Sequence, residues 1–144
     1  MPRGTAIALI HRIRWKIDRF LEKELKEQGI DNLVLSQNMI LYILHREDAK
    51  LTMSQIASLA MKDKSTVTYL VDKLAAAGYV RRQKHPDDSR VTYVLLTEKA
   101  RALQPYFAAI SERAYSAVYN SLTEREAEVL EHLLERINDA LPVC

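Results

Sequence analysis

The chain leaves helical periodicity once, over residues 79–96, and that single interruption restricts its fold more than any other feature. Before it, apolar residues return at three- and four-residue spacing; within it they alternate; after it the helical spacing resumes. Residues 79–85 read as a strand, 86–89 as a turn and 90–96 as the returning strand, a hairpin with a loop longer than two residues. A lone hairpin cannot bury its own apolar face, so it must lean on the helices around it. The chain is expected to be mainly α with a small β-hairpin.

Seven segments follow from this reading. Ala6, Ile10, Ile13, Ile17, Phe20, Leu21 and Leu25 mark a long first helix that Gly29 stops. Ser36 is expected to cap a second helix with Met39, Ile40, Ile43 and Leu44 inward. Thr52-Met-Ser-Gln55 has the spacing of a reciprocal cap, in which a hydroxyl and a glutamine each satisfy an orphan backbone N–H. It opens a short helix expected to pack Ile56, Leu59 and Ala60. Asp63 caps the next helix, with Val67, Leu70, Val71 and Leu74 inward, and Gly78 ends it. Beyond the hairpin, Thr97 caps a helix carrying Leu103, Phe107, Ile110, Ala114 and Val118, and Pro105 predicts a break near residues 101–105. Thr123-Glu-Arg-Glu126 opens a last helix with Ala127, Leu130, Leu134, Ile137 and Leu141 on one face.

Two helices joined by a tight turn around residues 61–63 and followed by a hairpin describe a winged helix-turn-helix over 36–99. Residues 1–35 and 100–144 then form a helical dimerisation region, because such long amphipathic helices exceed what the module needs for its own core. Composition agrees: 48% of residues are apolar, with only three glycines and four prolines. No apolar run is long enough to span a membrane, and the stretch before His11 is too short for a signal peptide. The lone cysteine, Cys144, allows no intrachain disulfide. A cytoplasmic protein without membrane contact is expected.

The net charge of +2 conceals a polarity along the chain. Residues 62–101 carry nine Lys/Arg against five Asp/Glu, whereas 121–144 carry two against six. The centre is therefore the surface for a polyanion, although charge alone does not separate it from an ordinary solvated face. The helix after Asp63 shows Ser65, Thr66, Thr68, Tyr69, Asp72 and Lys73 outward. Small hydroxyls there let a helix approach base edges and phosphates closely. With Ser54 and Lys64 these side chains make one candidate DNA surface, and Arg82, Lys84 and Arg90 of the hairpin extend it. A guanidinium at a wing tip is drawn to the potential of a narrow minor groove, and Asp88, two residues before Arg90, can hold it in one rotamer.

The segments Asp63-Lys-Ser-Thr-Val-Thr-Tyr-Leu-Val-Asp-Lys-Leu74, Gly78-Tyr-Val-Arg-Arg82, Asp88-Ser-Arg90 and Leu96-Thr-Glu-Lys99 together resemble the MarR (multiple antibiotic resistance regulator) family of bacterial transcription factors. The resemblance covers about residues 36–100. It implies a homodimer joined through its terminal helices, most often a repressor, with two winged modules on a pseudo-palindromic double-stranded operator. At Tyr69 such proteins often carry arginine, so base contacts are not carried over there. The resemblance also implies a small aromatic or phenolic effector, for which Trp15, Arg19, Tyr42, His45 and Tyr115 are the candidates. The first helix has no cysteine of the kind that some relatives use to sense oxidants.

Enzyme chemistry finds little support. His11, His45, His85 and His132 are scattered without metal-ligand spacing, no Gly-rich phosphate loop exists, and no serine or cysteine sits in a nucleophile motif. No cofactor or metal is expected. The alternative reading is a winged-helix protein-interaction module without specific DNA binding.

Overall fold

The computed structural model describes residues 4–30, 32–48 and 50–142, so Cys144 lies outside it. The chain divides into two units, residues 1–110 and 111–144. The first contains α1 (Thr5–Glu27), α2 (Leu35–Glu47), β1 (Leu51–Thr52), α3 (Met53–Ala60), α4 (Lys64–Ala76), β2 (Val80–Lys84), β3 (Thr92–Leu96), the single turn α5 (Glu98–Arg101) and the opening of α6 (Gln104–Tyr119). The second contains the rest of α6 and α7 (Glu124–Ala140).

The core of the first unit forms where the inward faces of its helices meet the sheet. Ile40, Leu41 and Leu44 of α2, Ile56 of α3, Val67, Val71 and Leu74 of α4 and Val94 of β3 are all fully buried. Burying one such side chain contributes roughly 1.5–3 kcal/mol, so this cluster sets the stability of the module. Gly78 adopts φ +84, and Tyr79 N–H and Gly78 N–H bond back to Leu74 O and Ala75 O at 2.9 and 3.0 Å. That is a Schellman turn, and it converts the end of α4 into the start of the hairpin.

The sheet has three antiparallel strands in the order β1-β3-β2. Val80 faces Leu96, Arg82 faces Val94 and Lys84 faces Thr92 across the hairpin, while Leu51 faces Val94 on the other side. The third strand, β1, was not foreseen, because two residues next to a helix cap carry no readable period.

Two expectations need correction. Ser36 does not cap α2: the helix starts at Leu35, and Gln37 Oε1 accepts the Val34 N–H at 2.9 Å, which leaves Ser36 inside the first turn. Leu59 is 43% exposed, because the buried stripe of α3 runs through Ile56 with Met53, Ala57 and Ala60 beside it. On α1 only Leu25 is buried and Leu21 packs on the core, while Ile10 and Ile13 stay exposed. No residue of α7 is buried. The break near Pro105 is present: residues 102–103 separate α5 from α6, and Pro105 sits in the first turn of α6, where a missing N–H costs nothing.

Candidate nucleic-acid interface

The site begins with two caps. Thr52 Oγ1 accepts the Gln55 N–H at 3.1 Å and Gln55 Oε1 accepts the Thr52 N–H at 2.8 Å, so α3 starts in the expected reciprocal arrangement, with Ser54 exposed in its first turn. Met61 takes φ +55, an uncommon conformation for a side chain of its size, and its turn joins α3 to α4 in three residues. Asp63 then caps α4. Its Oδ1 accepts the Thr66 N–H and the Ser65 hydroxyl, both at 2.7 Å. Those bonds, the Thr66 N–H first, hold the Asp63 carboxyl down at about 2. The positive end of the α4 dipole is thus already met by a carboxylate.

Val67, Leu70, Val71 and Leu74 anchor α4, leaving Lys64, Ser65, Thr68, Tyr69, Asp72 and Lys73 exposed and Thr66 half-buried. Thr68 donates its hydroxyl to Lys64 O at 2.8 Å. The Lys73 ammonium lies 5.4 Å from the Tyr69 ring centroid, a cation over an aromatic face one turn away. The exposed surface is therefore polar, cationic at both ends and carries one flat aromatic group.

In the hairpin, Arg82 and Lys84 share the face of Val80 and Val94, as alternation requires. Arg82 does not project freely: its guanidinium is paired with Asp72 of α4. Lys84 is exposed. At the tip, Arg90 Nε and Nη2 donate to the two carboxylate oxygens of Asp88 at 3.0 and 3.2 Å, and the Arg90 N–H adds a third bond at 3.1 Å. These bonds, the side-chain pair foremost, lower the Asp88 pKa. The Arg90 side chain nevertheless stays 89% exposed. A planar guanidinium held by two parallel bonds and open to solvent is a presented charge, not a buried one.

Residues 33–92, which run from the start of α2 into β3, match the profile of the MarR family. The chain is 26% identical over 124 residues to the HTH-type transcriptional repressor IacR of Pseudomonas putida, spanning 86% of this chain and 72% of that protein. It is also 26% identical over 129 residues to the HTH-type transcriptional regulator MhqR of Bacillus subtilis, spanning 90% and 86%. A solved structure of mutant MarR from E. coli, complexed with operator DNA, matches with a TM-score of 0.80 and 25% identity over 96% of this chain and 95% of that one. The chain carries a MarR-family segment over residues 33–92. It is a DNA-binding transcription regulator, not an enzyme, and the interaction-module alternative falls away.

The effector candidates suggested by the MarR resemblance lie on three helices, α1, α2 and α6. Trp15 is 62% exposed and carries the Arg19 guanidinium 5.8 Å from its ring centroid, both on α1. Tyr42, on α2, lies under Arg46 at 5.9 Å. Tyr115 belongs to the second unit, 65% exposed and 4.6 Å from the Tyr119 ring. His45 differs from these: it is half-buried, its ring lies 5.2 Å from Phe107, and its Nε2 is buried with no partner among the described residues. Burial lowers its pKa, against a hydrogen bond to the Ala100 backbone that raises it. A cavity of about 50 Å³ is lined by Leu44, Asp48, Lys50, Leu95, Leu96 and Arg101, none of them among the five. Among the described residues no cluster of His, Cys, Asp and Glu is arranged to hold a metal ion, and no helix is long and apolar enough to cross a membrane.

Sequence reasoning missed the Asp72–Arg82 pair, because ten residues of separation across a turn leave no local pattern. It also missed Asn32, whose Nδ2 donates to the Tyr79 hydroxyl at 2.9 Å.

Proposed function

We propose that this MarR-family regulator is a ligand-responsive repressor that binds a pseudo-palindromic operator as a homodimer. In this reading residues 36–99 are the DNA-binding module, and 1–35 with 100–144 join the two subunits. Helix α4 enters the major groove with Ser65, Thr66, Thr68 and Tyr69, while Ser54, Lys64, Lys73 and Lys84 meet the backbone. The wing tip delivers Arg90 to the minor groove with Asp88 as its brace. Arg82, paired as it is, holds the wing to α4 and contributes less to phosphate contact. The repressor name of the P. putida relative and the operator bound in the E. coli MarR structure favour this reading. A small aromatic or phenolic effector acts by altering the separation of the two recognition helices, which must match one turn of DNA, about 34 Å.

The observation that carries the reading is the exposed Arg90 gripped by both carboxylate oxygens of Asp88. Selection of bound duplexes from a random pool tests it, since a dimer on DNA enriches a palindromic consensus. On that consensus Arg90→Ala is expected to lose roughly 1–3 kcal/mol of binding without loss of folding. Unchanged affinity in a folded Arg90→Ala protein would remove Arg90 from the interface.

A further inference from the structure

The motif Leu96-Thr-Glu-Lys99 supplies no DNA contact in this reading, yet two of its side chains reach back to the end of α4. The three carbonyls that follow the last residue of that helix are all bonded by this one segment. Lys99 Nζ donates to Ala77 O at 2.8 Å, Thr97 Oγ1 donates to Gly78 O at 2.6 Å, and the Thr97 N–H donates to Tyr79 O at 3.1 Å. The Lys99 ammonium also lies 4.4 Å from the centroid of the Tyr79 ring, and its stem runs beside Gly78. Tyr79 is only 5% exposed, and its hydroxyl accepts the Asn32 amide at 2.9 Å.

The last carbonyls of a helix have no partners within it, and a cation there complements the negative end of the dipole. Here the cation comes from α5, the turn that leads into the α6 segment whose Phe107 and Ile110 are buried in the same core as α4. Lys99 is committed to a carbonyl and a ring at the far end of α4 from the Asp63 cap. We propose that Lys99 is a positioning residue for operator recognition: with Thr97 it clamps the C-terminal turn of α4 to α5, so that the α5–α6 segment sets the angle of the recognition helix. The proposal rests on the DNA-binding reading above.

The test is Lys99→Met, which keeps the stem and removes the ammonium, measured against the duplex recovered by random-pool selection and a scrambled duplex of equal length, each over a range of salt. The expected result is a loss of about tenfold on the selected duplex. Affinity for the scrambled duplex and the salt slopes on both stay at wild-type values, because a clamp releases no counterions. Lys99→Arg, which can still donate to Ala77 O and lie over Tyr79, recovers most of the loss. Two results overturn the clamp. One is unchanged affinity for the selected duplex. The other is equal loss on both duplexes with a salt slope shallower by about 0.9 per lost contact, which makes Lys99 a phosphate ligand. Thermal unfolding is followed in parallel, and a loss that disappears where both proteins are fully folded overturns it too. A wild-type protein that enriches no sequence defeats the DNA-binding reading before the variant is compared.

Discussion

Asp72 sits on the exposed face of α4 and holds Arg82 of the wing, so a negative charge lies on the face proposed to meet DNA. As an exposed ion pair it contributes at most about 1 kcal/mol to stability. On the proposed reading its larger effect is on selectivity, because it occupies a guanidinium that would otherwise be open to phosphate. Asp72→Asn is therefore expected to tighten binding to random-sequence duplex and to steepen the salt slope by about 0.9 for each phosphate newly contacted. A titration showing no gain on random duplex would mean that Arg82 stays out of reach of DNA even when released. Asp88 performs the opposite service for Arg90, holding the charge outward. Its lowered pKa means that the brace persists at any pH near neutrality and weakens only as the carboxylate protonates in acid.

His45 joins three elements, since it belongs to α2, bonds to the Ala100 backbone in α5 and packs at a tilt against the Phe107 ring in α6. Burial holds its folded pKa below the ordinary 6.5, with Arg101 adding to the effect. The sign follows from linkage: the unfolded chain takes up a proton as pH falls through 6.5 while the folded one resists. The contribution is full above 6.5, declines below it and levels off beneath the folded pKa. His45→Gln, neutral throughout, should flatten that part of the curve of thermal midpoint against pH between 7.5 and 5, taking these limits as roughly one unit or more either side of the ordinary value. Identical curves for variant and wild type would take His45 out of the acid response.

The elements differ in how plainly they were written. Caps at Thr52, Asp63 and Thr123, the Gly78 stop, the hairpin and the break near Pro105 all come from local chemistry, so a sequence displays them. Asp88 and Arg90 are two residues apart and were equally legible. The Asp72–Arg82 pair, the Lys99 clamp and the two-residue strand β1 depend on chain folding back through Gly78 and through the sheet, and distance along the chain hides them. The apolar stripe of α1 was legible too, but periodicity shows that a helix has such a stripe, not what covers it.

At the scale of the whole molecule the uncovered stripes matter most. Ile7, Ile10 and Ile13 on α1 and Leu133, Leu134 and Ile137 on α7 are all exposed. Apolar faces of this kind mark association surfaces. In the proposed homodimer the two winged modules would bind as one ligand, and linking two sites raises avidity by about 10²–10⁴ without any new contact. Ile137→Glu is expected to yield a folded monomer by sedimentation and to lower operator affinity by about that factor, while scrambled duplex is affected far less. A variant that still sediments as a dimer would move the interface away from α7.

The short strand β1 has a consequence of its own. It runs directly into the cap of α3 and is hydrogen-bonded to β3, so the base of the wing is tied to the entry of the helix-turn-helix by strand pairing. A wing tethered only by its two strands could swing to meet whatever flank it found. This one has a set reach, like the jaws of a fixed caliper. If α4 and Arg90 both contact DNA as proposed, an operator lengthened by one base pair between those two contacts is expected to lose the second grip, because β1 ties the base of the wing to the entry of α3.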